Sequence, residues 1–244
     1  MTRLSYSKIT DFVQCPRRYW LSHIKCLPLE QNKYLIAGKE THEILHQSTM
    51  VDDWKGFILS HPKYQEYKQS MDNYIVYQEK LIKAGGNPVP EFAEMKYRDE
   101  ELDFSLVVDR IDEFNGKRLL IDYKTDGTPI EGKHDKQLLL YTHFFNKLHP
   151  HTPITHYAPF FVKARKGINV KPVDNVEVME AVDWLLRTKW DIENRGKESN
   201  MFPCKPDKHC NFCSHRLSFC CKQGMDYMDK ICQSVEITDD VKEK

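Results

Sequence analysis

Asp109, Asp122 and Lys124 are the residues of this chain whose types and spacing could do chemistry. They lie in the stretch Leu106-Val107-Val108-Asp109-Arg110-Ile111-Asp112-Glu113-Phe114-Asn115-Gly116-Lys117-Arg118-Leu119-Leu120-Ile121-Asp122-Tyr123-Lys124. Asn-Gly between two runs of β-forming residues signals a two-residue type I′ turn. With Asn115 and Gly116 as the turn, Phe114 faces Lys117, and counting back in step puts Asp109 opposite Asp122. Residues directly opposed in an antiparallel pair have Cβ atoms about 4.5–5.5 Å apart on one face. Two carboxylates so placed repel each other unless a cation sits between them. Lys124 shares the face of Asp122, because side chains alternate along a strand. Each acid closes an apolar run, which argues against two solvated strand ends. The pattern points to a divalent-metal site with a catalytic lysine beside it.

At 244 residues the chain can bury a proper core, as one large domain or one domain with an appendage. Lys and Arg number 36 and so do Asp and Glu, so no global basic field advertises nucleic acid and any such groove must be local. The start, Met1-Thr2-Arg3-Leu4-Ser5-Tyr6, has no apolar signal core, and no apolar run is long enough to span a bilayer. The expectation is a soluble protein without membrane partners, cytoplasmic or, for a viral protein, acting in the host cytoplasm. In a reducing compartment the eight cysteines read as metal ligands or core thiols rather than disulfides.

The elements that must position the acids follow from periodicity and breakers. Ser5 to Val13 reads as a capped short helix, ended or kinked at Cys15-Pro16. Gly38 to Met50 reads as a helix on which His42 and His46, four apart, share a face. Asp53 to Lys83 is helical and rich in tyrosine, up to Gly85-Gly86-Asn87-Pro88. Glu91 to Tyr97 is a first strand ahead of the hairpin. Asp135 to Leu148 has the helical apolar rhythm, with Pro150 beyond its end. Ile154 to Val162 and Ile168 to Val173 are two more strands, turned at Gly167. Val176 to Arg195 is a further helix, followed by a cysteine-rich segment to Cys221 and a frayed tail.

An acid on one strand, acid-x-Lys on the next, then a helix carrying Gln137-Leu138-Leu139-Leu140-Tyr141 resembles the PD-(D/E)xK nuclease superfamily. The chain is more closely similar to the branch typified by the nuclease domain of the RecB helicase–nuclease and by the CRISPR-associated RecB-like exonucleases. That branch adds a Gly-x-x-x-His helix, matched by Gly38 to His42, and a Cys-Pro-Arg-Arg/Lys-aromatic segment, matched by Cys15-Pro16-Arg17-Arg18-Tyr19. The five elements run in the family's order from Ser5 to Cys220. The resemblance implies that His42, Asp109, Asp122 and the backbone carbonyl of Tyr123 bind the metal. It implies that Lys124 activates the attacking water, and that Gln137 and Tyr141 steady the active site and the DNA backbone. Carboxylate ligands suit Mg²⁺ or Mn²⁺, and an imidazole tilts the site toward Mn²⁺.

Cys204, Cys210, Cys213, Cys220 and Cys221 crowd one short segment, and Cys-x-x-Cys among them points to a metal site. A structural zinc, with His209 or His215 available, is one reading. The resemblance implies another, a [4Fe–4S] cluster on Cys15, Cys210, Cys213 and Cys220 that ties the chain ends together. The family usually places five residues between the last two ligands and this chain has six, so Cys221 and Cys204 are alternatives to Cys220.

The fold expected is α/β, a restriction-endonuclease-like αβββαβ core with a mixed central sheet, a helical N-terminal part and a Cys-rich C-terminal cap. Residues 1–221 form one domain, with cluster-binding ends at 5–26 and 204–221, a catalytic core at about 36–175, and a tail at 222–244. The function expected is a metal-dependent deoxyribonuclease, an exonuclease on single-stranded DNA ends in recombination, repair, phage replication or CRISPR adaptation, with protein partners of such a complex. The rival readings are a structure- or sequence-specific endonuclease and a non-catalytic DNA-binding or adaptor module of the same fold. With zero net charge, DNA affinity must come from a local strip. Arg17 and Arg18 beside Tyr19 and Trp20 are the candidates, with Lys163, Arg165 and Lys166 as another path.

Overall fold

The structure, a computed structural model, describes residues 3–27, 33–92, 95–99, 102–125, 129–164, 168–196, 198–207, 210, 213 and 215. The chain divides into two compact units, one of residues 31–184 and one of residues 1–30 with 185–244. None of the described helices is long and apolar enough to cross a membrane.

The first of these units is built on a mixed five-stranded sheet. Asn115 and Gly116 both take positive φ, 49° and 69°, as a type I′ turn requires. They join β4 (Arg110–Phe114) to β5 (Lys117–Lys124) in the register the turn dictates, from Phe114 opposite Lys117 to Arg110 opposite Ile121. From β5 the chain crosses over through α6 (Asp135–Leu148) to β6 (His156–Phe161), which pairs parallel with β5. Short edge strands β1 (Asn87–Pro88) and β7 (Lys171–Pro172) complete the order β1-β4-β5-β6-β7. This is the α/β architecture with a mixed sheet and a helical N-terminal part that the sequence leads one to expect.

Several boundaries differ, each for a physical reason. The strand expected at Glu91–Tyr97 is β2 (Met95–Asp99), because Pro90 to Phe92 turn in a short 3₁₀ helix. It pairs with β3 (Phe104–Val108) as a separate two-stranded sheet. The strand expected at Ile168–Val173 pairs only over Lys171–Pro172, and Gly167 lies outside the described residues. The helical stretch expected over Asp53–Lys83 is two helices, α4 (Trp54–Ser60) and α5 (Lys68–Lys83). Pro62 forces the break, holding His61 extended at ψ 134°. Finally, α3 (Lys33–Thr49) starts before Gly38 rather than at it.

The sheet is covered on both faces. On one, Ile44 and Leu45 of α3, Ile58 of α4 and Met71, Tyr74 and Ile75 of α5 pack on Ile121, Tyr123, Phe160 and Val162. On the other lies α6, against β5 and β6, and its Phe144 stacks at 4.8 Å on Phe104 of the two-stranded sheet. The alternation of β4 sends Arg110 and Asp112 into the first layer, where both are at most 1% exposed. Arg110 Nε donates to Asp112 Oδ1 at 2.6 Å and Nη1 to Tyr74 Oη at 2.7 Å, while Nη2 donates to Gln78 Oε1. Tyr77 donates its hydroxyl proton to Asp112 Oδ2, and Ser48 donates to Tyr74 Oη. Burial opposes the guanidinium charge, and Asp112 beside it holds that charge in place.

Removing one partner of a buried, hydrogen-bonded pair strands a charge and costs about 3–5 kcal/mol. Arg110→Ala and Asp112→Ala should each lower unfolding stability by that order in chemical denaturation. The double change Arg110→Met with Asp112→Leu should recover most of it. Additive losses in the double variant would show that the two side chains act independently.

Candidate active site

The ladder stops at Asp109. β3 ends at Val108 and β4 begins at Arg110, so Asp109 is the one residue between two paired strands. Freed from the ladder, its carboxylate accepts the Tyr123 backbone N–H, Oδ2 to N being 2.8 Å. The next residue pair in register, Asp109 with Asp122, is thereby brought together, and the charge of Asp109 is felt at Asp122. Lys124 follows on the same face, its Nζ 2.5 Å from Asp122 Oδ2.

α6 supplies the fixing group. Gln137 Oε1 accepts from Lys124 Nζ at 2.9 Å, and its Nε2 donates to Asp122 Oδ1 at 3.0 Å. The same Nε2 lies 3.2 Å from Tyr141 Oη, one helical turn along. One amide thus orients the lysine and the acid simultaneously.

α3 brings the histidine. A Cβ on Gly38 would stand 3.2 Å from Thr125 Oγ1, so glycine lets the helix press close to the end of β5. One turn later His42 Nδ1 is 3.4 Å from Asp109 Oδ2, and its ring packs edge-on against Tyr123 at 5.6 Å. His46, the next residue on that face, lines the same groove of about 780 Å³, which also holds His42, Asp109, Tyr123 and Lys124.

Asp122 is the most perturbed acid of the site. Burial, then the charge of Asp109, pushes its carboxyl up to about 6, with Lys124 and His42 opposing. Its Oδ2 is buried and, although near Lys124, makes no properly directed hydrogen bond. Among the described residues, no three His, Cys, Asp or Glu donors close to metal-binding distances. The donor set nevertheless suits a divalent cation: two adjacent carboxylates, with an imidazole beside one of them.

A model of the PD-(D/E)XK nuclease superfamily matches residues 3–221. The chain belongs to that superfamily. The fold is similar to the crystal structure of a "putative exonuclease" from Eubacterium rectale, with TM-score 0.51, 13% identity, 95% of this chain and 93% of that chain covered. No curated protein matches the chain by sequence. Nucleases of this superfamily generally use Mg²⁺ or Mn²⁺, and membership implies DNA as the substrate.

The nuclease's other unit holds the cysteines. Cys15 lies between α1 (Tyr6–Gln14) and α2 (Pro16–Tyr19), and Cys210 and Cys213 lie in a pair of tight turns almost 200 residues later. Burial raises the Cys213 thiol, and both Cys15 and Cys210 are close enough to act on it. The His215 backbone N–H donates to Cys213, and the Asp207 N–H lies 3.5 Å from Cys210 Sγ. All three are free thiols. Cys204 is disulfide-bonded, a correction to the expectation that no cysteine would be, and it is thereby removed as a substitute ligand. Cys220, Cys221 and His209 lie outside the described residues, and His215 Nε2 is engaged 2.9 Å from Ser22 Oγ.

The residues expected to bind DNA make contacts of their own. Tyr19 is 2% exposed and stacks on Phe202, so it is core and presents no face to a base. Arg17 lies over the Trp20 ring at 5.4 Å, and Arg18 pairs with Asp11 at 3.1 Å. On the other path, Lys163 is half-buried, while Arg165 and Lys166 lie outside the described residues. Sequence reasoning missed the Arg110 network, whose signal was an arginine and an acid two apart, hence on one face of the strand. It also missed Tyr34, Lys39 and Lys133 in the groove, because nothing local marks them as neighbours of Asp109.

Two expectations follow. In metal-free protein the folded-state value of Asp122, about 6, lies above its ordinary value of 3.8. Protonated Asp122 therefore contributes stability that is full below about pH 4 and is lost as pH rises through 6, worth about 3 kcal/mol. Thermal melts of the wild type should fall across that window relative to Asp122→Asn, and Mn²⁺ should reverse the fall. Parallel melting curves would show the pair is not strained. Separately, Gly38→Val should weaken Mn²⁺ binding about tenfold without touching a ligand, by holding His42 off Asp109. Unaltered affinity in a metal titration would remove the close approach from the site.

Proposed function

We propose that this nuclease is a Mg²⁺- or Mn²⁺-dependent exonuclease of the RecB-like branch that hydrolyses DNA from single-stranded ends. The observation that carries the reading is the clustering at the ladder break. Asp109 is held by the Tyr123 N–H beside His42, and across the strand Asp122 is held between Lys124 and Gln137. His42, Asp109 and Asp122 would hold the cation. The Tyr123 carbonyl would join them, since in a strand it points to the same side as its own N–H, toward Asp109. A cation bound there acidifies a water and neutralises charge developing on the phosphate.

Every other role falls to the chain itself. Lys124, aimed by Gln137, orients the attacking water and draws off negative charge as the proton leaves. Gln137 keeps Lys124 from swinging away when the cation competes for Asp122. Tyr141 fixes Gln137 in turn. The name of the similar Eubacterium rectale protein supports the exonuclease reading over an endonuclease, as does the absence of an obvious sequence-recognition module among the described residues.

The reading extends to a [4Fe–4S] cluster on Cys15, Cys210 and Cys213, with Cys220 as fourth ligand. Its support is the Cys-Pro-Arg and Cys-x-x-Cys pattern together with three free thiols, two of them near backbone N–H donors suited to thiolates, although these thiols do not close to metal-binding distances. Anaerobically purified protein should be brown and contain iron, and Cys15→Ala should bleach it. A colourless protein with stoichiometric zinc would overturn the cluster.

The deciding assay uses end-labelled linear and circular single-stranded DNA with Mn²⁺, Mg²⁺ or EDTA. Linear strands should be degraded with either metal, circles should survive, and EDTA should abolish activity. Linearised circles would establish the endonuclease, and inert DNA throughout would leave only a binding module. Asp109→Ala and Asp122→Ala should remove activity, and Lys124→Ala should cost roughly 10²–10⁴-fold in kcat. Full activity in any of them would overturn the site.

A further inference from the structure

The groove above the acids is more than a metal pocket. α3 contributes Tyr34, Lys39, His42, Glu43 and His46 to its lining, and Lys133, ahead of α6, lines it too. Tyr34 is 70% exposed. Its neighbours Leu35 and Ile36 are 47% and 41% exposed, an apolar rim at the mouth of a charged site. Lys39 and Lys133 are exposed and carry positive charge into a groove whose floor holds Asp109 and Lys124. A polyanion with flat apolar faces satisfies both features, with phosphates on the lysines and a base on the tyrosine. Duplex DNA offers only half of this. Its phosphates are available, but its bases are stacked inside and present no face to Tyr34.

Resting on the nuclease reading above, we propose that Tyr34 is a stacking platform that selects unpaired nucleotides, with Lys39 and Lys133 gripping the strand's phosphates on its way to Asp109 and Asp122. The specificity for single strands thus resides in the first turn of α3, two turns ahead of the proposed metal-binding histidine. Lys33, whose ammonium lies 5.4 Å from the Tyr34 ring centre, helps hold the ring.

The test measures kinetics and binding on a single-stranded oligonucleotide carrying 2-aminopurine, using wild type, Tyr34→Ala, Tyr34→Phe and Lys39→Ala/Lys133→Ala. Tyr34→Ala should raise KM roughly 5- to 150-fold, the range for loss of one stacked base, with kcat held. Tyr34→Phe should stay near wild type, because stacking needs the ring and not the hydroxyl. Binding should quench 2-aminopurine fluorescence in wild type and Tyr34→Phe but not in Tyr34→Ala. The lysine pair should reduce the slope of log affinity against log salt by about 1.4, at roughly 0.7 per single-strand phosphate. An unchanged KM with unchanged quenching in Tyr34→Ala would overturn the inference, as would a loss confined to kcat. If wild type cleaves nothing with Mn²⁺, the nuclease reading fails by itself. The quenching comparison in Ca²⁺ then still decides whether Tyr34 stacks bases.

Discussion

The structure depends on a charge kept where water cannot reach it. Arg110 is buried in the layer between the sheet and α5, and its guanidinium spends its donors on Asp112, Tyr74 and Gln78. Such an arrangement gains little net stability over an apolar core, since desolvation offsets most of the attraction. What it gives is geometry. A planar fork of donors satisfied by one strand and two turns of a helix permits one depth and one rotation of α5 against β4. Ser48 of α3 completes the set through Tyr74, so the helix carrying His42 is registered against the same strand.

That registration matters because Arg110 and Asp109 are neighbours on opposite faces. Locking one face of β4 into the core fixes where the other face begins, and the ladder breaks at the residue before the lock. A carboxylate at a ladder break is free to take a backbone N–H as a side-chain acceptor, as Asp109 does with Tyr123. Strand pairing then places Asp122 beside it. Burial first, and then the charge of Asp109, raises the Asp122 carboxyl, with Lys124 and His42 partly offsetting both.

The local part of this was legible in the sequence, and the non-local part was not. Asn115-Gly116 determines a register, and register determines that Asp109 meets Asp122, so five pairs of β4 and β5 and the shared face of Lys124 could be counted on paper. Gly38 misled as to where α3 starts, because a glycine inside a helix and one at its end look alike in sequence. Only the approach of Thr125 separates them. Pro62 carried its break openly, yet the helical pattern on both sides suggested one helix. The partners of Arg110 lie 32 and 36 residues away, beyond the reach of any periodicity. Cys15, Cys210 and Cys213 are free thiols, but among the described residues no three such donors close to metal-binding distances, and the disulfide at Cys204 has no local signature.

The acids, the lysine and the glutamine form a closed electrostatic loop that explains why each needs the others. Lys124 is drawn to Asp122 and tethered by Gln137, so its ammonium offsets one of the two negative charges while no cation is present. In the function proposed above, a divalent ion held by both acids would take over that task and leave Lys124, held by the amide, to orient the water. Without Gln137 the lysine would follow whichever carboxylate was least satisfied, and its position would change with metal occupancy. With the amide bonded to both Lys124 and Asp122, the lysine would keep its place whether or not a metal is bound. A side chain with both a donor and an acceptor is required at that place, since a carboxylate would add a third negative charge and a hydroxyl could not span Asp122 and Lys124 together.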